Sequence, residues 1–287
     1  MTAQKRWNLV VDVALCENCN NCVLSAKDEL VGNRFAGYSE PHAPQGRGVM
    51  WIERRVRGSG HMVDAAHVPM TCNHCDDAPC VRAGQGAVIQ RPDGVVLIHP
   101  EKAKGRRDLL DTCPYGAMVW NEDLNLPQTW FFDAHLLDQG WAAPRCVGSC
   151  PTGAMQVYKV TDADMALKAT EQDLRVLRPE LGTRPRVHYR NLHRWDRSFV
   201  GGTVLSDTGR LEALAEAEVE LLVAGSPLAA SRTNAFGDFR FDNLTPGDRE
   251  LTLQIAHPGY LPVTCVTPVH ADGVNLGVIV LRPPETA

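Results

Sequence analysis

Four groups of cysteine constrain this chain more than any other feature. Nine of the ten cysteines lie before residue 151. The first group, "CENCNNC", holds Cys16, Cys19 and Cys22, and the second, "CNHCDDAPC", holds Cys72, Cys75 and Cys80. The third is Cys113 alone, in "CPYGA", and the fourth is Cys146 with Cys150, the latter in "CPTGA". Unrelated packed thiols would not cluster in this way. Pairs at C-x2-C spacing in a chain without an export segment point to metal or redox chemistry, not to a disulfide framework. Thiolates are soft ligands that favour iron–sulfur clusters or zinc. The fold must therefore gather distant segments around metal.

The spacing says how. A bacterial ferredoxin run reads C-x2-C-x2-C-x3-C-P, and the fourth cysteine of each run ligates the other cluster. Pairing the first group with the fourth gives a complete set, Cys16, Cys19, Cys22 and Cys150. Pairing the second with the third gives another, Cys72, Cys75, Cys80 and Cys113. The same counting places two further sets. One falls on Gly84, Ala103, Arg106 and Leu109, where every ligand is lost, and the other on Ala26, Trp130, Asp133 and Cys146, where one cysteine remains. The losses are correlated, so we expect two intact 4Fe-4S clusters and two erased sites.

Zinc is the competing metal, because C-x2-C units also build zinc ribbons. Zinc ribbons pair two such units, whereas here each triplet finds a distant Cys-Pro. Erased sites would leave costly holes. Trp130 is expected to fill one, and Leu109 with the stem of Arg106 the other, with a carboxylate or carbonyl partner for Arg106. Cys146 is expected to be an inert thiol. His61, His67, His74 and His99 form no paired motif, and His74, between Cys72 and Cys75, is placed to tune its cluster.

The remaining sequence sets the frame. The opening "RWNLVVDVAL" reads as the first strand of the fold, not as a signal peptide, and no run of eighteen apolar residues marks a membrane span. A cytoplasmic location is the expectation, with any export depending on a partner. A net charge of −5 argues against sequence-independent nucleic-acid binding. With 287 residues, 44% hydrophobic, the chain can hold two domains. Thr161 reads as the N-cap of a helix whose apolar positions Met165, Leu167, Leu174 and Leu177 run up to Pro179. The segment "RPELGTRPRVHYRNLHRWDR" reads as an extended strap without chemistry of its own. From Phe199, seven short alternating runs separated by Gly, Pro, Asp and Asn indicate a β-sandwich or barrel. Cys265, alternating with Leu261 and Val263, is expected in its core. No catalytic constellation is visible, so this part reads as a docking or stabilising module. The expected domains are residues 1–165, a linking helix and strap at 166–198, and the β domain at 199–287.

The motifs "CENCNNC", "CNHCDDAPC", "CPYGA", "LLDQGWAAPRC" and "CPTGA", in this order, resemble the iron–sulfur subunit of the dimethyl sulfoxide reductase family of molybdenum enzymes. The resemblance spans residues 5 to about 165. It implies an α+β double ferredoxin-like module that passes electrons to or from a large molybdopterin subunit. A C-terminal sandwich of transthyretin-like or carboxypeptidase-regulatory-like kind is similar to the branch that transhydroxylates pyrogallol and phloroglucinol or hydroxylates resorcinol. "CVLSAKDELVGN" and "GTRPRVHYRNL" fit that branch. The resemblance implies a partner with molybdenum on bis-molybdopterin guanine dinucleotide. It also implies that the Cys16 cluster lies nearest the molybdenum and the Cys72 cluster farther out. The chain is then a non-catalytic relay with an unknown terminal acceptor. The alternatives are a relay for a molybdenum reductase of an oxyanion or sulfur compound, and a zinc-stabilised interaction protein.

Overall fold

The computed structural model describes residues 3–284, the side chains at 248 and 249 excepted. The outermost residues of the expected domains, 1–2 and 285–287, lie outside the described part. The chain divides into two compact units. One comprises the residues up to Arg54 together with His67–Leu192, and the other Arg55–Ala66 with the chain from His193 on.

The first unit is organised around the strand Arg6–Asp12, buried at all but its first residue. It pairs antiparallel with Met155–Val160 and parallel with Val187–Arg190, so Leu9 faces both Val157 and Val187. A central strand covered on both faces reads as an unbroken apolar run, and "LVV" supplies it. The cysteine segments hang from this sheet on short helices and two-stranded ribbons, among them Val88–Gln90 with Val96–Ile98 and Val119–Asn121 with Leu126–Gln128. The helix Asn21–Leu30 buries Cys22, Ala26 and Leu30, a stripe at one-turn intervals.

Two expectations change here. The helix capped by Thr161, whose Oγ1 accepts from the Asp164 N–H at 3.1 Å, spans only Asp162–Glu171. It buries Met165 alone, while Leu167 stays exposed. Asp173 then turns left-handed (φ 48°), and Leu177 packs from beyond the helix. The strap after Pro179 is extended, as expected, but its strand Val187–Arg190 joins the central sheet of the first unit. A cut at residues 165 and 198 therefore does not match the compact units.

From Ser198 on, the described residues of the second unit form eight strands in two four-stranded sheets, beside the hairpin of Trp51–Ser59 and Met62–Met70 that the unit shares. The strand missed in the sequence is Leu211–Ala213, too short and too exposed to show alternation. One sheet sets Ser198–Asp207 between Asp238–Leu244 and the parallel Val274–Leu281, with Leu211–Ala213 pairing its end. The other runs Ser226–Arg232, Glu218–Val223, Gly247–Ala256, Val263–Val269, all antiparallel. Alternate residues of both sheets, including Val219, Leu221, Phe239, Phe241, Leu251 and Leu253, meet in one core. Cys265 packs against that core from a half-buried position.

Residues 55–66 belong to this second unit through charge. The buried Arg57 donates to Asp64 at 2.6 Å and to the Arg197 carbonyl at 2.8 Å, and pairs with Asp242 at 3.4 Å. Arg194 and Arg240 also bind Asp64. Burial alone would raise the Asp64 carboxyl, but the guanidiniums of Arg194 and Arg57 outweigh it and hold the group well below the usual carboxylate range.

Candidate iron–sulfur centres

The first C-x2-C pair of each triplet sits on a loop with a left-handed turn at its second intervening residue, Asn18 (φ 57°) and His74 (φ 45°). Asparagine and histidine tolerate that region better than most residues. Cys22 and Cys80 then enter the short helices Asn21–Leu30 and Pro79–Gly84. Cys113 and Cys150 each follow a helical turn, and Gly116 (φ 61°) and Gly153 (φ 67°) bend the chain after each Cys-Pro.

The expected ligands assemble in two places. Cys16 and Cys22 each feel the charges of Cys19 and Cys150. Cys72 feels Cys113, Cys80 and Cys75, and Cys75 and Cys80 both feel Cys113. Burial first, and these neighbouring sulfurs second, push Cys22 and Cys80 up to about 12. Burial likewise takes Cys75 to about 11, although the Thr183 hydroxyl, bonded to its sulfur, pulls the other way. Four thiolates could not share such a site without cations, and metal loading must displace their protons. The pockets suit a thiolate-bound group in a second way, through donors aimed at sulfur. The Ala117 N–H donates to Cys113 Sγ at 3.4 Å, and backbone groups of Asn18, Val23, His74 and Val81 bond Cys16, Cys22, Cys72 and Cys80.

The sets differ in depth. Cys72, Cys75 and Cys80 are buried and Cys113 half-buried, whereas in the other set only Cys22 is buried, Cys16 and Cys150 are half-buried and Cys19 is exposed. The strap holds the deeper set. Backbone N–H groups of Asp76 and Asp77 donate to the carbonyls of Arg184 and Thr183. Arg186 donates to Asp76 at 2.8 Å through both Nε and Nη2, and its own N–H bonds the Asn73 carbonyl. The Thr183 hydroxyl lies 2.6 Å from that of Tyr115. The strap thus supplies positioning residues that its sequence did not reveal. Threonine and arginine in a proline-rich segment carry no spacing signal, and only the fold brings them to Cys75 and Asp76.

The two positions counted as erased sites share a left-handed turn with the cysteine loops. At the position matching Asn18 and His74 stand Gly105 (φ 77°) and Phe132 (φ 61°), both left-handed. A bulky Phe in that region is strained, so the backbone there follows the same turn as the cysteine loops. Trp130, Asp133, Cys146 and Ala26 are all buried, and Trp130 Nε1 donates to Asp133 Oδ1 at 3.0 Å. At the other site Ala103 and Leu109 are fully buried. Arg106 finds both expected kinds of partner, Asp108 at 2.7 Å and the Ala83 carbonyl at 3.3 Å. Its head remains partly exposed, so only Leu109 is a true filler. A Cβ on Gly84 would come within 2.9 Å of Val88 Cβ, the stiff branch point of a buried side chain. Gly84→Ala is therefore expected to cost about 1–3 kcal/mol by overpacking, read as a lower denaturation midpoint with unchanged iron content.

Comparison with known proteins agrees with this arrangement. Residues 63–160 match the family model described as a 4Fe-4S dicluster domain. The chain is 45% identical over 282 residues to the pyrogallol hydroxytransferase small subunit of Pelobacter acidigallici, covering 96% of this chain and 100% of that one. It is 29% identical to a tetrathionate reductase subunit of Salmonella typhimurium, over 68% of this chain and 75% of that one. It is 30% identical to a sulfite dehydrogenase subunit of Allochromatium vinosum, over 63% and 81%. Among the described residues no helix is long and apolar enough to cross a membrane. With its cysteine loops, its dicluster match and its full-length relative, the chain belongs to the iron–sulfur electron-transfer subunits of the dimethyl sulfoxide reductase family of molybdenum enzymes, alongside the small subunit of pyrogallol hydroxytransferase.

Proposed function

We propose that the chain relays single electrons through two 4Fe-4S clusters to or from a large molybdopterin subunit that hydroxylates or transhydroxylates a phenolic ring. The grouping of Cys16, Cys19, Cys22 and Cys150, and of Cys72, Cys75, Cys80 and Cys113, carries this reading. Among the described residues no three His, Cys, Asp or Glu side chains are close enough to hold one metal ion. Ligands of a single zinc, at about 2.3 Å from the metal, would have to converge, whereas cluster ligands bind separate irons.

When bound, the clusters supply one-electron chemistry whose potential follows burial, hydrogen bonds to sulfur and local charge. The protein's part is to hold thiolates, aim N–H donors at them and exclude water. The exposed Cys19 loop suits exchange with the large subunit, taken to carry molybdenum on bis-molybdopterin guanine dinucleotide, and the buried Cys72 set suits a more distant relay position. Hydroxylation with water oxygen releases two electrons, which single-electron carriers would lead away. In a transhydroxylation no net electrons leave, and the clusters would be auxiliary. The C-terminal unit is read as a transthyretin-like or carboxypeptidase-regulatory-like sandwich with a docking or stabilising role. Two four-stranded sheets sharing one core support this.

The phenolic substrate comes from the likeness to pyrogallol hydroxytransferase over nearly the whole chain. The test is to purify the complex and assay it. The expected result is a molybdenum-containing large chain, about eight irons per small subunit with acid-labile sulfide, and turnover of resorcinol or pyrogallol. Turnover of thiosulfate or nitrate alone would move the relay to a reductase, and zinc without sulfide would remove the relay altogether.

A further inference from the structure

The residues counted as an erased site around Trp130 contact the loop of one cysteine set directly and reach the other through the helix Arg145–Gly148. On one side, His74 Nδ1 is 3.8 Å from Cys72 Sγ. The Val96 N–H donates to that nitrogen at 3.0 Å, which leaves the imidazole proton on Nε2. Nε2 is buried with no hydrogen-bond partner among the described residues. The ring instead meets Trp130 at 5.6 Å and Phe132 at 5.3 Å between centroids, both edge-on. Trp130 and Phe132 are themselves 4.9 Å apart. On the other side, the Trp130 indole N–H donates to Asp133 at 3.0 Å. Asp133 in turn accepts from the Arg145 N–H at 2.8 Å, at the start of the helix Arg145–Gly148 that holds Cys146, and the Ser149 hydroxyl after that helix donates to the Asn21 carbonyl at 3.4 Å, next to Cys22. A path of contacts thus leads from Cys72 through the buried His74, Trp130 and Asp133 to the helix Arg145–Gly148, and from Ser149 at its end to the carbonyl that precedes Cys22.

We propose that this filler, with Trp130 at its centre, is the route by which an electron crosses between the two clusters where an intervening cluster site has been erased. Tunnelling falls off less steeply through bonds, hydrogen bonds and closely packed atoms than across gaps. A void forfeits those contacts outright. A fully buried indole, hydrogen-bonded at one edge and packed against two rings, leaves little gap. The electron leaves one cluster and arrives on the other. No bridging residue changes its oxidation state, and no bond or proton moves. Trp130 acts here as a positioned medium, not as a catalytic residue.

The inference rests on the two-cluster reading, and the experiment separates the two. In the holoprotein, iron and sulfide are measured first, and each cluster's midpoint potential is read by EPR-monitored titration. Electron exchange is then followed by rapid-freeze EPR after flash reduction. Trp130→Leu removes the ring and the donor to Asp133, and is expected to slow exchange severalfold with both potentials unchanged. Trp130→Phe, which restores a ring, recovers part of the rate. Phe132→Leu, which leaves the hydrogen bond to Asp133 intact, slows it less than Trp130→Leu and gives an independent reading should that protein not fold. Full iron with wild-type rates in these variants, or slowing wholly explained by shifted potentials, overturns the bridge alone. A wild-type protein with well under about eight irons overturns the two-cluster reading and the bridge with it.

Discussion

Cys113→Ala is expected to lower the iron content from about eight to about four per chain, with loss of one cluster signal and survival of the other. The reason is geometric. Cys113 stands 33 residues beyond Cys80, yet it acts electrostatically on Cys72, Cys75 and Cys80, and Tyr115 of its own loop lies 2.6 Å from the Thr183 hydroxyl beside Cys75. Removing it leaves three buried thiolates one ligand short. The controls lie in the same segment. Leu109→Ala is expected to destabilise the protein by about 2–5 kcal/mol through the cavity it opens, with iron unchanged, because Leu109 fills space at an erased site. Arg106→Ala loses the Asp108 and Ala83 contacts of a partly exposed head and should leave iron untouched. Metal analysis with EPR on the three proteins decides the matter. Two signals surviving in Cys113→Ala, or loss of the Cys16-type signal instead, would sink the ligand pairing.

Asp64→Asn is expected to cost about 3–5 kcal/mol, the usual result of removing one partner from a buried ion pair. Arg57 is fully buried and already has one nitrogen, Nε, without a partner among the described residues. Its charge is met by Asp64 at 2.6 Å and only distantly by Asp242 at 3.4 Å. The same carboxylate also meets Arg194 and Arg240, the latter packed 3.8 Å over the Phe199 ring. The pH dependence follows from the depressed carboxyl of Asp64. A group lowered on folding contributes stability above its unfolded value, about 3.9 for Asp. That contribution is lost as pH falls from there through the folded value. Denaturant unfolding of wild type should thus show extra loss of stability below about pH 4 that Asp64→Asn lacks. Equal acid sensitivity in the two proteins would contradict it.

The legible part of this protein is the part written as spacing. C-x2-C counting picked out the two cysteine sets that the fold brings together and, from missing residues, the two positions read as erased sites. The left-handed turns at Gly105 and Phe132 match the counted positions, although neither residue bears a ligand. Alternation revealed the strands of the second unit, because inward residues such as Phe239 and Phe241 must be apolar while their neighbours need not be. It failed for Leu211–Ala213, whose three residues are all exposed. Helical periodicity overran the helix after Thr161, since Leu174 and Leu177 are apolar for packing reasons outside it.

What the sequence alone set out is the proposed chemistry: two sets of four cysteines read as ligands, and the positions where two further sets would fall. Ligand identity and short-range spacing are local properties, and they survive on a one-dimensional string. What only the tertiary structure decided is everything that depends on partners far along the chain. The strap became part of the Cys72 site through Thr183 and Arg186, which reach Cys75 and Asp76 from more than a hundred residues away. The segment Arg55–Ala66 joined the second unit through Arg57 and Asp64. Trp130, readable as a plug for a hole, became a neighbour of His74 in the Cys72 loop and a donor to Asp133. A buried charge or a buried ring takes its meaning from what surrounds it, and those surroundings exist only once the chain has folded.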